Sequence, residues 1–139
     1  MFKLVKIENA RQNVPEPEYL EVTASEAVSL GEALILSSGK LTKATGDNVK
    51  PAFIAMADCG ASDTKRVIPV CRVEANQIYE VGVTFSETAV AIVVGTKLTL
   101  ATDGLGVTDV TTKGVVTVVD ALEANTKKAT GDKILVRVV

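Results

Sequence analysis

The stretch Gln77-Ile78-Tyr79-Glu80-Val81-Gly82-Val83-Thr84-Phe85 places Tyr79, Val81, Val83 and Phe85 at every second position, with Glu80 and Thr84 between them. Side chains alternate across a strand, so this spacing gives one apolar and one polar face and predicts a half-buried β-strand. Moving outward in both directions, further strand-like runs are Tyr19–Thr23, Ala33–Ser37, Ala52–Ala57, Arg66–Val73, Thr96–Ala101, Val115–Asp120 and Lys133–Val139. Gly, Asn and Asp punctuate them, as turns require. Pro69 lies inside one run and lacks a ladder donor, which predicts an edge strand or a bulge there. Helical spacing is weak; its best instance is Asp120–Asn125, with Asp120 placed to cap it. The expectation is an all-β fold, a small β-barrel or β-sandwich of short antiparallel strands.

Composition agrees with a single domain. The chain has 139 residues, 47% hydrophobic and 23% charged, a folded rather than a disordered balance. Aromatics are only 4% and Trp is absent, so the core must be built from Val, Ile, Leu and Ala. Lys and Arg number 15 against 17 Asp and Glu, with no basic block, so the charge pattern predicts no nucleic-acid surface. The opening MFKLVKIENA lacks the apolar run of a signal peptide, and AVAIVVG from Ala89 is too short to cross a bilayer. Cys59 and Cys71, without any histidine, do not make a four-ligand zinc site; two reduced, buried thiols are expected in a reducing, aqueous compartment.

Residues 1–18 read as an extended arm or peripheral strand, and residues 19–139 as one β domain. Pro15 and Pro17 favour extended backbone and block a helix. Glu16, Glu18 and Glu21 read as a solvated acidic segment.

Two internal echoes occur. The string KATGD stands at Lys43–Asp47 and again at Lys128–Asp132. A phosphate loop needs an earlier glycine, Lys after the second glycine and a following helix, none of which is present; Thr-Gly-Asp supplies a β-turn instead. Separately, Val28 to Thr42 resembles Ile92 to Thr108: each has a glycine, a strand with alternating Leu, a second glycine turn and a return strand ending in Thr. FIAMAD, ending at Asp58, and VVTVVD, ending at Asp120, follow them. Such a match fits an internal duplication, and it equally fits two β-hairpins alike by chance.

Catalytic chemistry finds little support. Without histidine there is no Ser-His or Cys-His pair. Ser38 and Lys40 flank Gly39 between two strand runs, which reads as a hairpin tip. Asp103 and Asp109 in TDGLGVTD are too few for a calcium loop. KKATGD does not match the hairpin of a lipoyl or biotin carrier. No catalytic, cofactor-binding or metal-ligating residue is expected.

The order of these elements resembles the small capsid decoration, or cement, proteins of tailed bacteriophages. The residues that carry the resemblance are G-x-x-L-x-L from Gly31, Ser38-Gly39-Lys40, FIAMAD, ANQIYEVGVTF (Ala75–Phe85), Val94–Thr108 and the terminal GDKILVRV (Gly131–Val138). The resemblance implies a β-barrel or β-sandwich without cofactor or catalysis. It implies a virion protein made in the host cytoplasm that binds the major capsid protein on the outer capsid surface, with a homotrimer favoured and neither nucleic acid nor membrane as partner. The arm residues Val14, Pro15, Glu16, Pro17 and Tyr19 are the candidate contacts, Tyr19 as anchor because aromatic side chains dominate interface cores. An alternative is a β-barrel adaptor of the tail, or a host-surface-binding domain.

Overall fold

The computed structural model describes residues 1–8, 15–86, 91–122 and 130–138. Among them there is no helix. Eleven strands run in chain order: β1 (Lys3–Ile7), β2 (Glu18–Glu21), β3 (Ala33–Ser37), β4 (Lys40–Lys43), β5 (Phe53–Ala55), β6 (Val67–Arg72), β7 (Gln77–Thr84), β8 (Lys97–Leu98), β9 (Gly106–Thr108), β10 (Val116–Asp120) and β11 (Lys133–Val138). The expected alternating strand is β7. Tyr79, Val81 and Val83 have no exposed surface, and Phe85 packs beside them. Asp120 ends β10, and its carboxylate accepts the Leu122 N–H at 2.9 Å. Leu122 has a φ of 47°, outside the right-handed helical region, so the expected helix does not begin at Asp120; its remaining residues, from 123, lie outside the described ones.

The strands form two packed sheets, not one closed barrel. The first runs β2-β6-β5-β3-β4, and the second β1-β7-β11-β10-β8, with β9 also on β7. Pairing is antiparallel except between β7 and β9, which are parallel. Each sheet encloses apolar residues of its own. Leu34, Leu41, Phe53 and Val70 centre the first cluster; Val81, Leu98, Val116 and Ile134 centre the second. The sheets meet where Ala33, Ala44 and Ile54 of the first enter the second cluster, and the Ala33 N–H donates to the Gly104 carbonyl at 2.8 Å.

The internal similarity extends to individual hydrogen bonds. Gly31 N–H donates to Ala55 O and Gly95 N–H to Val118 O, both at 2.8 Å. Ala55 N–H returns to Glu32 O, and Val118 N–H to Thr96 O, both at 2.9 Å. Ala52 N–H meets Leu34 O, and Val115 N–H meets Leu98 O, again both at 2.9 Å. The cross-strand pair Leu36–Leu41 matches Leu100–Val107, and the parallel pair Val22–Leu41 matches Val83–Val107. Strand order matches too: β2-β6-β5-β3-β4 corresponds to β7-β11-β10-β8-β9. Two equivalent five-stranded units therefore make up the fold, with β1 added to the second. Ala55 is equivalent to Val118, so the endings Asp58 and Asp120, matched in sequence, are one residue out of step. The KATGD strings follow β4 in one unit and precede β11 in the other, at non-equivalent turns; their glycines, Gly46 and Gly131, have φ of 94° and 93°.

Pro69 corrects the sequence reading. Strand β6 lies between β2 and β5 and is not an edge. The missing donor does no harm because Pro69 faces Met56, one residue past the end of β5, and accepts the Met56 N–H at 3.0 Å through its carbonyl. Ser38 and Gly39, with φ of 49° and 78°, form the expected two-residue hairpin tip between β3 and β4. Lys40 there pairs with Glu21 at 2.8 Å.

Leu34 and Leu98 are equivalent, fully buried and in separate clusters. Each change to Ala is expected to cost about 2–5 kcal/mol. The double variant should lose the sum to within about 0.5 kcal/mol, because the sites share no cluster. Urea unfolding of the four proteins reads this.

Candidate functional site

The candidate arm leads into β2 through Pro15, Glu16 and Pro17, which belong to no regular element. Val14 lies outside the described residues. Glu16 and Pro17 are exposed, Pro15 is half-buried, and Tyr19 is 67% exposed. An aromatic ring left that open is the largest apolar side chain the surface offers. Among the described residues, strand β2 pairs with β6 on one side, while on the other Val22 bridges Leu41 in parallel and Thr23 N–H donates to Leu41 O at 2.9 Å, so its outer edge is open only ahead of Glu21. Val22 N–H donates to Arg66 O at 2.9 Å. Antiparallel bonding alternates, so the backbone groups of Tyr19 and Glu21 point away from β6, towards that edge.

Register supplies what the sequence did not. Tyr19 stands opposite Pro69, Glu21 opposite Val67, and Pro69 faces Met56. Directly opposed residues share a face. Tyr19, Pro69 and Met56 therefore form an apolar row across β2, β6 and the end of β5, flanked by Val67; Met56 is 40% and Val67 45% exposed. No local sequence signal links these positions, because the pairing of β2 with β6 is long-range. The row adjoins a cleft of about 360 Å³, which Met56 and Pro15 share with Phe2, Ile54, Cys71 and Tyr79.

Ion pairs fix the acidic segment. Glu18 accepts two bonds from Arg72, from Nε at 2.6 Å and Nη2 at 2.8 Å, and these hold its carboxyl below the ordinary range. The Arg72 guanidinium in turn lies 4.8 Å from the centre of the Phe53 ring. Glu18 and Glu21 are thus paired across strands to Arg72 and Lys40, which orients β2 on the sheet.

Polar groups near the cleft are committed to one another. Tyr79 OH donates to Gln77 Oε1 at 2.6 Å, and the Glu74 N–H reaches the same oxygen at 2.9 Å. Burial pushes the Cys71 thiol up, and burial likewise raises the Tyr79 hydroxyl. Cys59 and Cys71 are both buried and unpaired; a neutral, buried thiol is a poor nucleophile. Asp103 accepts the Leu105 N–H at 2.9 Å, whereas Asp109 accepts from the Ser86 hydroxyl at 2.9 Å. These two carboxylates therefore serve separate turns. No cluster of three potential metal ligands occurs among the described residues. Gln77 was passed over in the sequence reading: it is 2% exposed, and the alternation that buries Tyr79 and Val81 puts it on the same face.

Comparison with models of known protein families and with curated proteins finds no match.

One charge beside the Gly31 turn titrates against the fold. Glu32 is 2% exposed; its Oε2 accepts the Ser29 N–H at 2.8 Å, while Oε1 lies 3.7 Å from Lys43 Nζ without a hydrogen bond. Burial raises its carboxyl above the ordinary 4.5, against the opposing pull of the Ser29 amide and Lys43. The folded state then binds this proton more tightly than the unfolded state. Its stabilising contribution is complete below the ordinary value and is lost as pH rises through the raised one. Glu32→Gln is expected to remove that slope and to be at least as stable as wild type at pH 7. Urea midpoints between about pH 4 and 8 check it.

Proposed function

We propose that this protein is a structural virion protein that binds the outer surface of a tailed-phage capsid and ties neighbouring major capsid protein subunits together. The observation that carries the reading is the Tyr19–Pro69–Met56 row beside the open part of the β2 edge. A free edge offers backbone donors and acceptors to an added strand, and the row offers an aromatic anchor beside it. The arrangement of elements resembles that of capsid decoration proteins, and the polar groups around the cleft are engaged with one another rather than poised for reaction. A structural protein of this kind needs a frame that does not deform under load, which two equivalent units with separate cores supply. Assembly as a homotrimer on the capsid completes the proposal.

The test is co-sedimentation with expanded capsids from the same genome. Deleting residues 1–18 is unsuitable because it removes β1, which pairs with β7. Tyr19→Ser is the better variant: it touches an exposed site, so stability should change by no more than about 0.5 kcal/mol. Wild type is expected to bind saturably at a fixed ratio to capsid subunits. Tyr19→Ser should bind at least about 30-fold more weakly, the loss of an aromatic hot spot. Absence of wild-type binding at micromolar protein overturns the reading and turns attention to tail proteins and host-surface glycans.

A further inference from the structure

At the junction between the two units, a turn of the second rests on a carboxyl of the first. Gly104 in that turn is buried, and its carbonyl accepts the Ala33 N–H at 2.8 Å. A Cβ on Gly104 would come within 3.1 Å of both Glu32 Cγ and Lys43 Cγ, and within 3.3 Å of the Ala33 carbonyl oxygen. Beneath the turn Glu32 is 2% exposed, and its Oε1 is buried without a hydrogen bond. The matching position of the second unit is Thr96, so the charge is particular to the first.

The charged groups around Glu32 do little to hold it ionised. Lys43 faces it from β4 at 3.7 Å, beyond hydrogen-bonding reach, and the lysine side chain is 35% exposed, so water weakens the attraction. Glu26 faces it from the loop after β2 and repels it; that carboxylate is held by the Thr42 hydroxyl at 2.7 Å and the Lys43 N–H at 2.8 Å. On the covering turn, Asp103 directs its carboxylate to the Leu105 N–H at 2.9 Å. A buried carboxylate with one oxygen lacking a donor is costly, and water can supply what is missing. The Gly104 turn is the part of the second unit packed on this side chain, so it is the part that must move.

We propose that Glu32 is a pH-operated latch between the two units: with its carboxyl neutral the Gly104 turn stays seated, and ionisation releases that turn to admit water while both sheets remain folded. The latch is a property of the free protein and does not depend on capsid binding. In the open form Glu32 meets water and recovers its ordinary affinity for the proton, whereas in the closed form burial raises that affinity. Closure is therefore strongest below the ordinary carboxyl range and weakens as pH rises through the raised value. The Met1 amine, beside Gly31, is lowered by burial and is retained in the variant below, which separates its titration from that of Glu32.

Amide exchange at Ala33, whose N–H bonds the Gly104 carbonyl, reads the latch in wild type and Glu32→Gln between about pH 4 and 8. Ala52 and Val115, bonded to Leu34 and Leu98 inside the two units, report the frame. After correction for the intrinsic pH dependence of exchange, Ala33 protection in wild type is expected to fall several-fold across this range. Low urea should hardly change it, because a local opening exposes little surface. Ala52 and Val115 should exchange more slowly and accelerate with urea, and in Glu32→Gln the pH dependence at Ala33 should vanish. In wild type alone, the Glu32 carboxyl carbon and the Ala33 amide, followed by NMR, should titrate with one midpoint. The latch is overturned by Ala33 protection that ignores pH, by a pH dependence that survives in Glu32→Gln, or by separate midpoints. It is equally overturned if Ala33 exchanges with the rate and urea sensitivity of Ala52 and Val115, since the turn then opens only when the whole molecule unfolds.

Discussion

Strand β7 is hydrogen-bonded on both edges, and the rest of the molecule is arranged around that constraint. One edge is divided between β1, which pairs with Gln77 to Glu80, and β9, which pairs with Gly82 to Thr84. The other edge belongs to β11. A strand with three neighbours cannot slide, because a one-residue slip would turn Tyr79, Val81 and Val83 out of the core. Gly106 makes the crowding possible: it lies opposite Gly82 in β9, and a Cβ on it would come within 2.9 Å of the Gly82 carbonyl. Strand β1 then carries Phe2 to the Gly31 turn, so the edge of the second unit positions the chain against the first.

Much of this was legible locally. The alternation in β7 is a property of consecutive residues, and the hairpin tip at Ser38-Gly39 follows from backbone conformations that glycine favours. Likeness between Val28–Thr42 and Ile92–Thr108 was visible as spacing, but only hydrogen bonds distinguish duplication from coincidence. What escaped is long-range. The interior position of β6 despite Pro69 depends on β5 ending at Ala55, and no rule about proline alone foresees that. Tyr19 stands out in the sequence as a candidate anchor because it is aromatic and follows two prolines; its neighbours Met56, Val67 and Pro69 come together only through register. Burial of Glu32 is equally non-local, since it depends on Gly104 of the other sheet packing over it.

Duplication also frames the functional account. Equivalent units start with equivalent surfaces, and each place where they differ marks something added to one of them. The second unit gained β1 on the edge of β7. Among the described residues, the matching stretch of β2 ahead of Glu21 has no strand beside it, and it carries Tyr19. A free edge strand ordinarily invites uncontrolled pairing, and Pro17 and the charges of Glu18 and Glu21 limit it. A protein that keeps such an edge with an exposed aromatic beside it is suited to pairing with a chosen partner.

The most direct test of this account is hydrogen–deuterium exchange on the free protein and on capsids saturated with it. The account predicts that amides of β7 and β11 exchange slowly in both states, and that the amide of Tyr19 exchanges quickly when free and slowly when bound. Protection gained on capsids at other surfaces, with the Tyr19 amide still exchanging freely, would contradict it.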